Sequence, residues 1–229
     1  IDQERSQIYY SANNSSGGSD IYSLDLKTMA SGDELLTPTL VLECLESHCR
    51  LPVSSPKGDF LAFERTEKLG FPRVWLLPLP VQQNQADKDK LAGAAILADD
   101  PAHQTLLPAW SLDGLLAYYD TQTAAFLIYD PYSGDRVLFP NQTGQSGAWH
   151  PEGREFLAPE IFFLETGSVS GLKNLANSHL IQFNRLTNST LDLTPGDEME
   201  DSSPAYSPDG EYLAFARKYL DPQRWTPGR

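Results

Sequence analysis

The chain has 229 residues, 40% of them hydrophobic, with 16 Gly and 17 Pro; so many turn residues between short apolar runs favour an all-β architecture, in one large domain or two small ones. Seventeen Lys and Arg stand against 31 Asp and Glu, a formal net charge of −14, which repels phosphate backbones and anionic lipid and argues against nucleic-acid and membrane-surface binding. No run of about 18 apolar residues is present to cross a bilayer, and the opening Ile1-Asp2-Gln3-Glu4-Arg5 is not a signal peptide.

In chain order, alternating apolar residues predict strands at Gln7–Ser11 and Asp20–Asp25, and a poorly patterned one at Glu34–Leu36. Two cysteines follow in Cys44-Leu-Glu-Ser-His-Cys49. Three readings compete: a local disulfide in an oxidising compartment, two free thiols, or a metal pair with His48. A structural zinc needs four ligands and no second Cys/His cluster exists, so the disulfide leads. His103, His150 and His179 stand alone and read as loop or core residues.

Next comes an internal repeat. Its fullest copy is Ser203-Pro-Ala-Tyr-Ser-Pro-Asp-Gly-Glu-Tyr-Leu-Ala-Phe215. Others are Leu51-Pro-Val-Ser-Ser-Pro-Lys-Gly-Asp-Phe-Leu-Ala-Phe63, Leu107-Pro-Ala-Trp-Ser-Leu-Asp-Gly-Leu-Leu-Ala-Tyr118 and the degenerate Ser146-Gly-Ala-Trp-His-Pro-Glu-Gly-Arg-Glu-Phe-Leu-Ala158. Each reads as a β-hairpin: an apolar strand, a tight turn in which Pro presets φ and Gly takes the positive φ, and a second apolar strand. The turn positions Pro56, Leu112, Pro151 and Pro208 are 56, 39 and 57 residues apart. A four-stranded propeller blade takes about 40–45 residues, so the short interval is a bare blade and the long ones carry insertions. Two more strands follow the hairpins: Arg73–Leu77 and Ala95–Leu97, Phe126–Asp130 and Arg136–Phe139, then His179–Phe183 and Thr190–Leu193. With strands named A to D from the inside out, Gln7–Ser11 is a B strand, and the last strand, Leu213–Arg217, is another.

The P-x-W-S-P-D-G turn, the A-F ending and strands such as Asp20-Ile-Tyr-Ser-Leu-Asp25 resemble the TolB-type, WD-repeat-like β-propeller family. The resemblance covers essentially the whole chain. It implies an all-β fold of four-stranded antiparallel blades in a single domain over 1–229, with blades near 1–40, 51–98, 107–140, 146–194 and 203–229. That makes about five blades, two of them partial, in a fragment of a larger ring; closure as a five-bladed ring is the alternative. Leu112, Lys57 and Pro159 depart from the pattern. The family shares no active site, so it transfers no catalytic residue.

Topology places B–C and D–A loops on one face and A–B and C–D loops on the other. The first face gathers Ala12–Ser19, the Cys44/Cys49 loop, Asp99 and Asp100, the insertion Glu165–Ser178, and Asp197–Asp201. Loops on a rigid scaffold are where such folds bind, so the expected partner-facing residues are Asp99, Asp100, Asp120, Glu160, Asp197, Glu198 and Asp201. Arg65, Asp120, Glu160 and Arg217, just after their B strands, are expected at one height, either rimming a channel or bridging blades. Asp197, Glu198, Glu200 and Asp201 are the weak candidates for Ca²⁺, without the spacing of a calcium loop; a solvated acidic turn is the plainer reading, and no other cofactor is expected. The Val81–Lys90 segment is a polar loop on the opposite face. Gly144-Gln-Ser-Gly-Ala148 half-resembles a nucleophile elbow, but its final Gly is Ala, and no phosphate-binding loop appears. Asn13, Asn14, Asn141 and Asn188 open N-x-Ser/Thr triplets, relevant only in a glycosylating host.

The expectation is a non-catalytic scaffold for a protein or peptide, extracytoplasmic (periplasmic, secreted or cell-surface), with no nucleic-acid partner and no membrane insertion. The alternative is the propeller of a longer α/β-hydrolase similar to prolyl-oligopeptidase relatives, its catalytic domain outside this chain.

Overall fold

The computed structural model describes residues 6–26, 37–79, 94–97, 103–164, 175–196 and 199–219. Among these, seventeen strands follow one another: β1 (Gln7–Asn13), β2 (Ser19–Asp25), β3 (Thr39–Leu42), β4 (His48–Ser54), β5 (Phe60–Thr66), β6 (Pro72–Pro78), β7 (Ala95–Ile96), β8 (Thr105–Trp110), β9 (Leu116–Asp120), β10 (Ala125–Tyr129), β11 (Arg136–Pro140), β12 (Ala148–Trp149), β13 (Glu155–Leu164), β14 (Leu175–Asn184), β15 (Ser189–Asp192), β16 (Met199–Tyr206) and β17 (Leu213–Tyr219). They form three sheets, in the orders β1-β2-β4-β5-β6-β7 with β3 on β2, β11-β10-β9-β8, and β12-β13-β14-β16-β17 with β15 on β14. The repeated four-strand meander is β4–β7, β8–β11 and β12–β15. Single parallel bridges link β2 to β4, Ser19 to His48, and β14 to β16, Ser178 to Glu200. No helix among the described residues is long and apolar enough to cross a membrane.

The hairpin turn has one construction in all four copies. Ser55, Ser111, His150 and Ser207 each accept at the main-chain carbonyl from the glycine three residues on, and those glycines have φ of +67°, +91°, +72° and +76°. In three copies the serine hydroxyl also accepts the N–H that opens the second strand, from Phe60, Leu115 or Tyr212. The same hydroxyl donates to Asp113 or Asp209. Where Lys57 occupies that aspartate position, Asp59 accepts instead, at 2.7 Å. A side chain that caps its own turn in this way needs little tertiary help.

A second repeated device lies in the A strands. Leu51, Leu107 and Ser203, each followed by proline, have φ of +49°, +58° and +53°. The register with the B strand shifts at these points, between Arg50 and Val53, Leu106 and Ala109, and Ser202 and Ala205. These are β-bulges, with non-glycine residues held in the left-handed region.

The chain divides into two compact units, 1–123 with 127–136, and 124–126 with 137–229. The first has two apolar clusters. One joins Ile21, Leu42, Leu61, Phe63 and Leu77 to the two cysteines; the other contains Ala62, Val74, Leu76, Leu97, Leu116, Tyr118 and Leu127. The second unit packs four buried phenylalanines, with Phe126 and Phe156 centroids 4.9 Å apart and Phe139 and Phe183 stacked at 5.1 Å.

Three expectations change. The D strand placed at Glu34–Leu36 lies outside the described residues, and the strand that pairs with β2 there is Thr39–Leu42. The insertion Glu165–Ser178 is not all loop: 175–178 belong to β14, whose register with β13 runs on to Leu164 opposite Leu175. The acidic turn also shrinks, because Met199–Asp201 open β16.

Candidate functional site

In the first unit two of the loops predicted to share a face, the turn after β1 and the cysteine loop, meet. The turn 14–18 after β1 folds on itself, with the Asn14 side-chain oxygen accepting the N–H groups of Ser16 and Gly18. The Asn14 amide then donates to Asp20 Oδ1 and to the Leu45 carbonyl, each at 2.8 Å. Buried Asp20 also accepts the Cys44 N–H at 2.8 Å. Gly18 fits because it has no side chain: a Cβ there would sit 2.2 Å from the Leu45 carbonyl oxygen and 2.3 Å from that of Ser47. Cys44 and Cys49 form a disulfide, and both are buried.

The other flank of this loop is tied to the turn between β5 and β6. Ser47 Oγ donates to Glu67 at 2.7 Å and accepts from Arg65 at 3.2 Å. Lys68 meets Glu46 at 3.0 Å. The result is a disulfide-closed loop clamped between two hairpin turns. Three large apolar side chains rise from this platform: Leu45 at 42% exposure, Phe71 at 58% and Leu69 at 100%. The sequence reading singled out the cysteine loop but passed over Leu69 and Phe71. Their signal was two apolar residues flanking Gly70 outside any strand alternation.

The predicted site residues that the structure describes are occupied with structural bonds. Asp99, Asp100, Asp197 and Glu198 lie outside the described residues. Asp120 ends β9, is buried, stands 3.2 Å from His103 and accepts the Gln122 N–H. Glu160 is inside β13 and accepts N–H groups from Gln142 and Ile161. Arg65 contacts Glu67 at 2.9 Å, and Arg217 grips Asp201 with two bonds of 2.7 and 2.8 Å. These four therefore sit in or at the end of their B strands, each held by groups within its own unit.

Burial pushes the Asp201 carboxyl up, but hydrogen bonds from Arg217 and Thr194 and the nearby guanidinium charge outweigh it and hold it below its ordinary value. Glu200 points to Lys218 at 3.4 Å. Among the described residues no group of three or more His, Cys, Asp or Glu is arranged to hold a metal. Behind Asp201, His179 meets Asp192 at 2.7 Å and the Gly196 carbonyl at 2.9 Å. Ser146 of the elbow-like segment lies in the connection between β11 and β12.

On the A–B and C–D side of the first unit, Tyr132 donates to Asp59, stacks edge-on against Phe60 and lies under Lys57. Burial and the aspartate together push the tyrosine hydroxyl up to about 12. The contact clasps two turns 73 residues apart.

No protein-family model matches the chain, and no curated protein matches it in sequence. Solved structures resemble it. TolB from Acinetobacter baumannii aligns with a TM-score of 0.53 and 19% identity, over 92% of this chain and 45% of that one. The β-propeller domain of the trilobed protease from Pyrococcus furiosus aligns at 0.58 and 13% identity, over 96% and 63%. Dipeptidyl peptidase 4 from Porphyromonas gingivalis aligns at 0.57 and 10% identity, over 95% and 35%. This chain thus spans less than two thirds of each of these chains. At such identities the likeness is one of fold, and the fold is that of β-propeller blades.

Proposed function

We propose that this chain is a non-catalytic protein-binding scaffold working outside the reducing cytoplasm, a TolB-like propeller of about five blades, two of them partial. It docks a protein or peptide on the loops around Cys44–Cys49. The observation that supports this is the pairing of rigidity with exposed apolar surface: Leu45, Leu69 and Phe71 stand on loops already held by a disulfide and a hydrogen-bond network. Apolar side chains held in place lose little entropy on binding, so their burial converts efficiently into affinity. A closed disulfide suits an oxidising compartment, and the structural likeness to TolB points the same way. The test compares partner capture by the wild-type chain and by a Leu69→Ser, Phe71→Ser double variant after cross-linking in the native host. Both changes lie on exposed loop positions, so the fold should persist while capture falls by about tenfold or more, as expected when anchor residues are removed. Equal capture would move docking elsewhere.

A second reading has its own support. Several similar structures are peptidases or hydrolases, and this chain spans about a third of two of them. In that reading the propeller controls access to an α/β-hydrolase domain outside these residues. A Gly-x-Ser-x-Gly in the flanking reading frame, with peptide hydrolysis lost when that serine is replaced, would favour it over the scaffold.

A further inference from the structure

We propose that the edge of β13 over Ile161–Leu164 is a strand-addition site, taking an extended segment of a partner polypeptide with apolar side chains at alternate positions. It rests on the protein-binding reading but uses a different surface from the disulfide platform, so the two can fail separately.

The argument starts from the repeat. Four B strands each have an A strand on one edge. In three of them the A strand accompanies the B strand to its end: His48 lies opposite Thr66, Thr105 opposite Asp120 and Met199 opposite Tyr219. β12 has only two residues and covers β13 at Phe156 and Leu157 alone. On its other edge β13 is paired with β14 through all ten residues, to Leu164 opposite Leu175. Past Leu157, β13 therefore has no strand on its A side among the described residues.

The fold blunts part of this edge. Pro159 has no N–H to offer, and its carbonyl accepts from Asn141 Nδ2 and Thr143 Oγ1, both at 2.7 Å. Glu160 then turns its carboxylate onto the Gln142 N–H at 2.9 Å and the Ile161 N–H at 3.0 Å. Proline and inturned charge are the usual protections of an open edge. Here they end at the Ile161 N–H. The Pro159 carbonyl and the Ile161 N–H both face the A side, so strand alternation turns the Ile161 carbonyl and both main-chain groups of Phe163 the same way. None of these three groups has a hydrogen-bond partner among the described residues.

The side chains agree with the backbone. Ile161–Leu164 carries no charge. Phe163 is 65% exposed, while Phe162 is half-covered by the His179 ring at 4.6 Å. The hairpin is braced from behind: Ser178 Oγ donates to the Asp201 carbonyl at 2.7 Å, and Asn177 Nδ2 donates to the Gly196 carbonyl at 3.0 Å. A row of unpaired main-chain groups at strand spacing selects an extended chain, because only that conformation presents matching donors and acceptors. Exposed phenylalanine beside the edge selects apolar cross-strand neighbours.

The test uses the whole chain and peptides of about eight residues that alternate Val, Ile, Leu or Phe with Thr or Lys, the length being that of a typical added strand. Binding is read by fluorescence anisotropy. The best binder is then N-methylated along one edge or the other. Phe163→Pro removes an outward N–H while leaving the β14 ladder alone, and Phe163→Lys keeps that N–H but adds a charge. The expected result is micromolar binding, lost about tenfold or more on N-methylation of one edge and in Phe163→Pro, with the unfolding midpoint unchanged and with Leu69→Ser, Phe71→Ser still binding. The proposal is overturned if no peptide binds at about 1 mM, or if N-methylation or Phe163→Pro leaves affinity intact. Wild-type chains that self-associate without peptide, when Phe163→Pro chains do not, would make the occupant a second copy and overturn the assignment to a partner.

Discussion

The Glu64 carboxylate accepts a 2.7 Å hydrogen bond from the main-chain N–H of Leu107, 43 residues further along and held at φ +58°. Leu107 is the bulge residue of β8, so its N–H falls outside the ladder with β9. A buried carboxylate from β5 supplies the missing acceptor. Burial pushes Glu64 above its ordinary value, more than the Leu107 N–H and Arg50 lower it. A folded pKa above the unfolded one means a contribution that is full below the unfolded pKa and is lost as pH rises through the folded pKa. Glu64→Gln keeps an acceptor without the charge, so its stability relative to wild type should improve between acid and neutral pH. Glu64→Ala strands a buried N–H and should cost about 1–3 kcal/mol. Urea unfolding at several pH values checks both; a Gln-minus-wild-type difference independent of pH would refute the charge argument.

Ser203 is an exposed bulge residue at φ +53°, with a small polar side chain where the other two bulges carry leucine. Replacing it with glycine should be neutral or stabilising by up to about 1 kcal/mol, since glycine adopts this conformation without the Cβ clash. Ser203→Val should destabilise, because a β-branched residue resists positive φ most. Thermal unfolding of the pair should rank Gly above Val, and the reverse order would mean the bulge is not kept.

Closing the six-residue loop Cys44–Cys49 should contribute about 2 kcal/mol through the unfolded state. Cys44→Ala with Cys49→Ala should lose about that much and also weaken partner capture, because Leu45 sits inside the closed loop. Adding reductant should bring the wild-type chain down to the level of the variant and leave the variant unmoved. A variant that binds normally would detach the disulfide from docking.

Asp201 is fully buried and its carboxyl is held low by Arg217 and Thr194 against the opposing effect of burial. A depressed pKa gives stability that is present above the unfolded value and lost as pH falls through the folded value. Asp201→Asn should therefore lower the thermal midpoint by several degrees at neutral pH and narrow the gap to wild type in acid. A gap that persists unchanged in strong acid would show that the pair is not its source.

By itself the sequence determined the hairpins. Their turns close through contacts two to five residues apart, as between the Ser207 hydroxyl, Asp209 and the Tyr212 N–H, and short continuous apolar runs mark β5 and β9, which are buried on both faces. It also placed the cysteine loop beside the Ala12–Ser19 loop, which follows from meander topology. Tertiary structure decided what depends on distant partners. Asn177 and Ser178 read as the end of a polar loop, yet both are buried in β14 with His179, because Gly196, Asp201 and Asp192 satisfy the three from later in the chain. The length of β13 was hidden for a related reason: strand alternation shows which residues can pair, and not where the neighbouring strand stops. Asp201 looked like part of an acidic surface, and Arg217, sixteen residues later, made it a buried ion pair instead. The open edge at Ile161–Leu164 belongs to the same class, since an edge exists only by comparison with the strands that cover its counterparts.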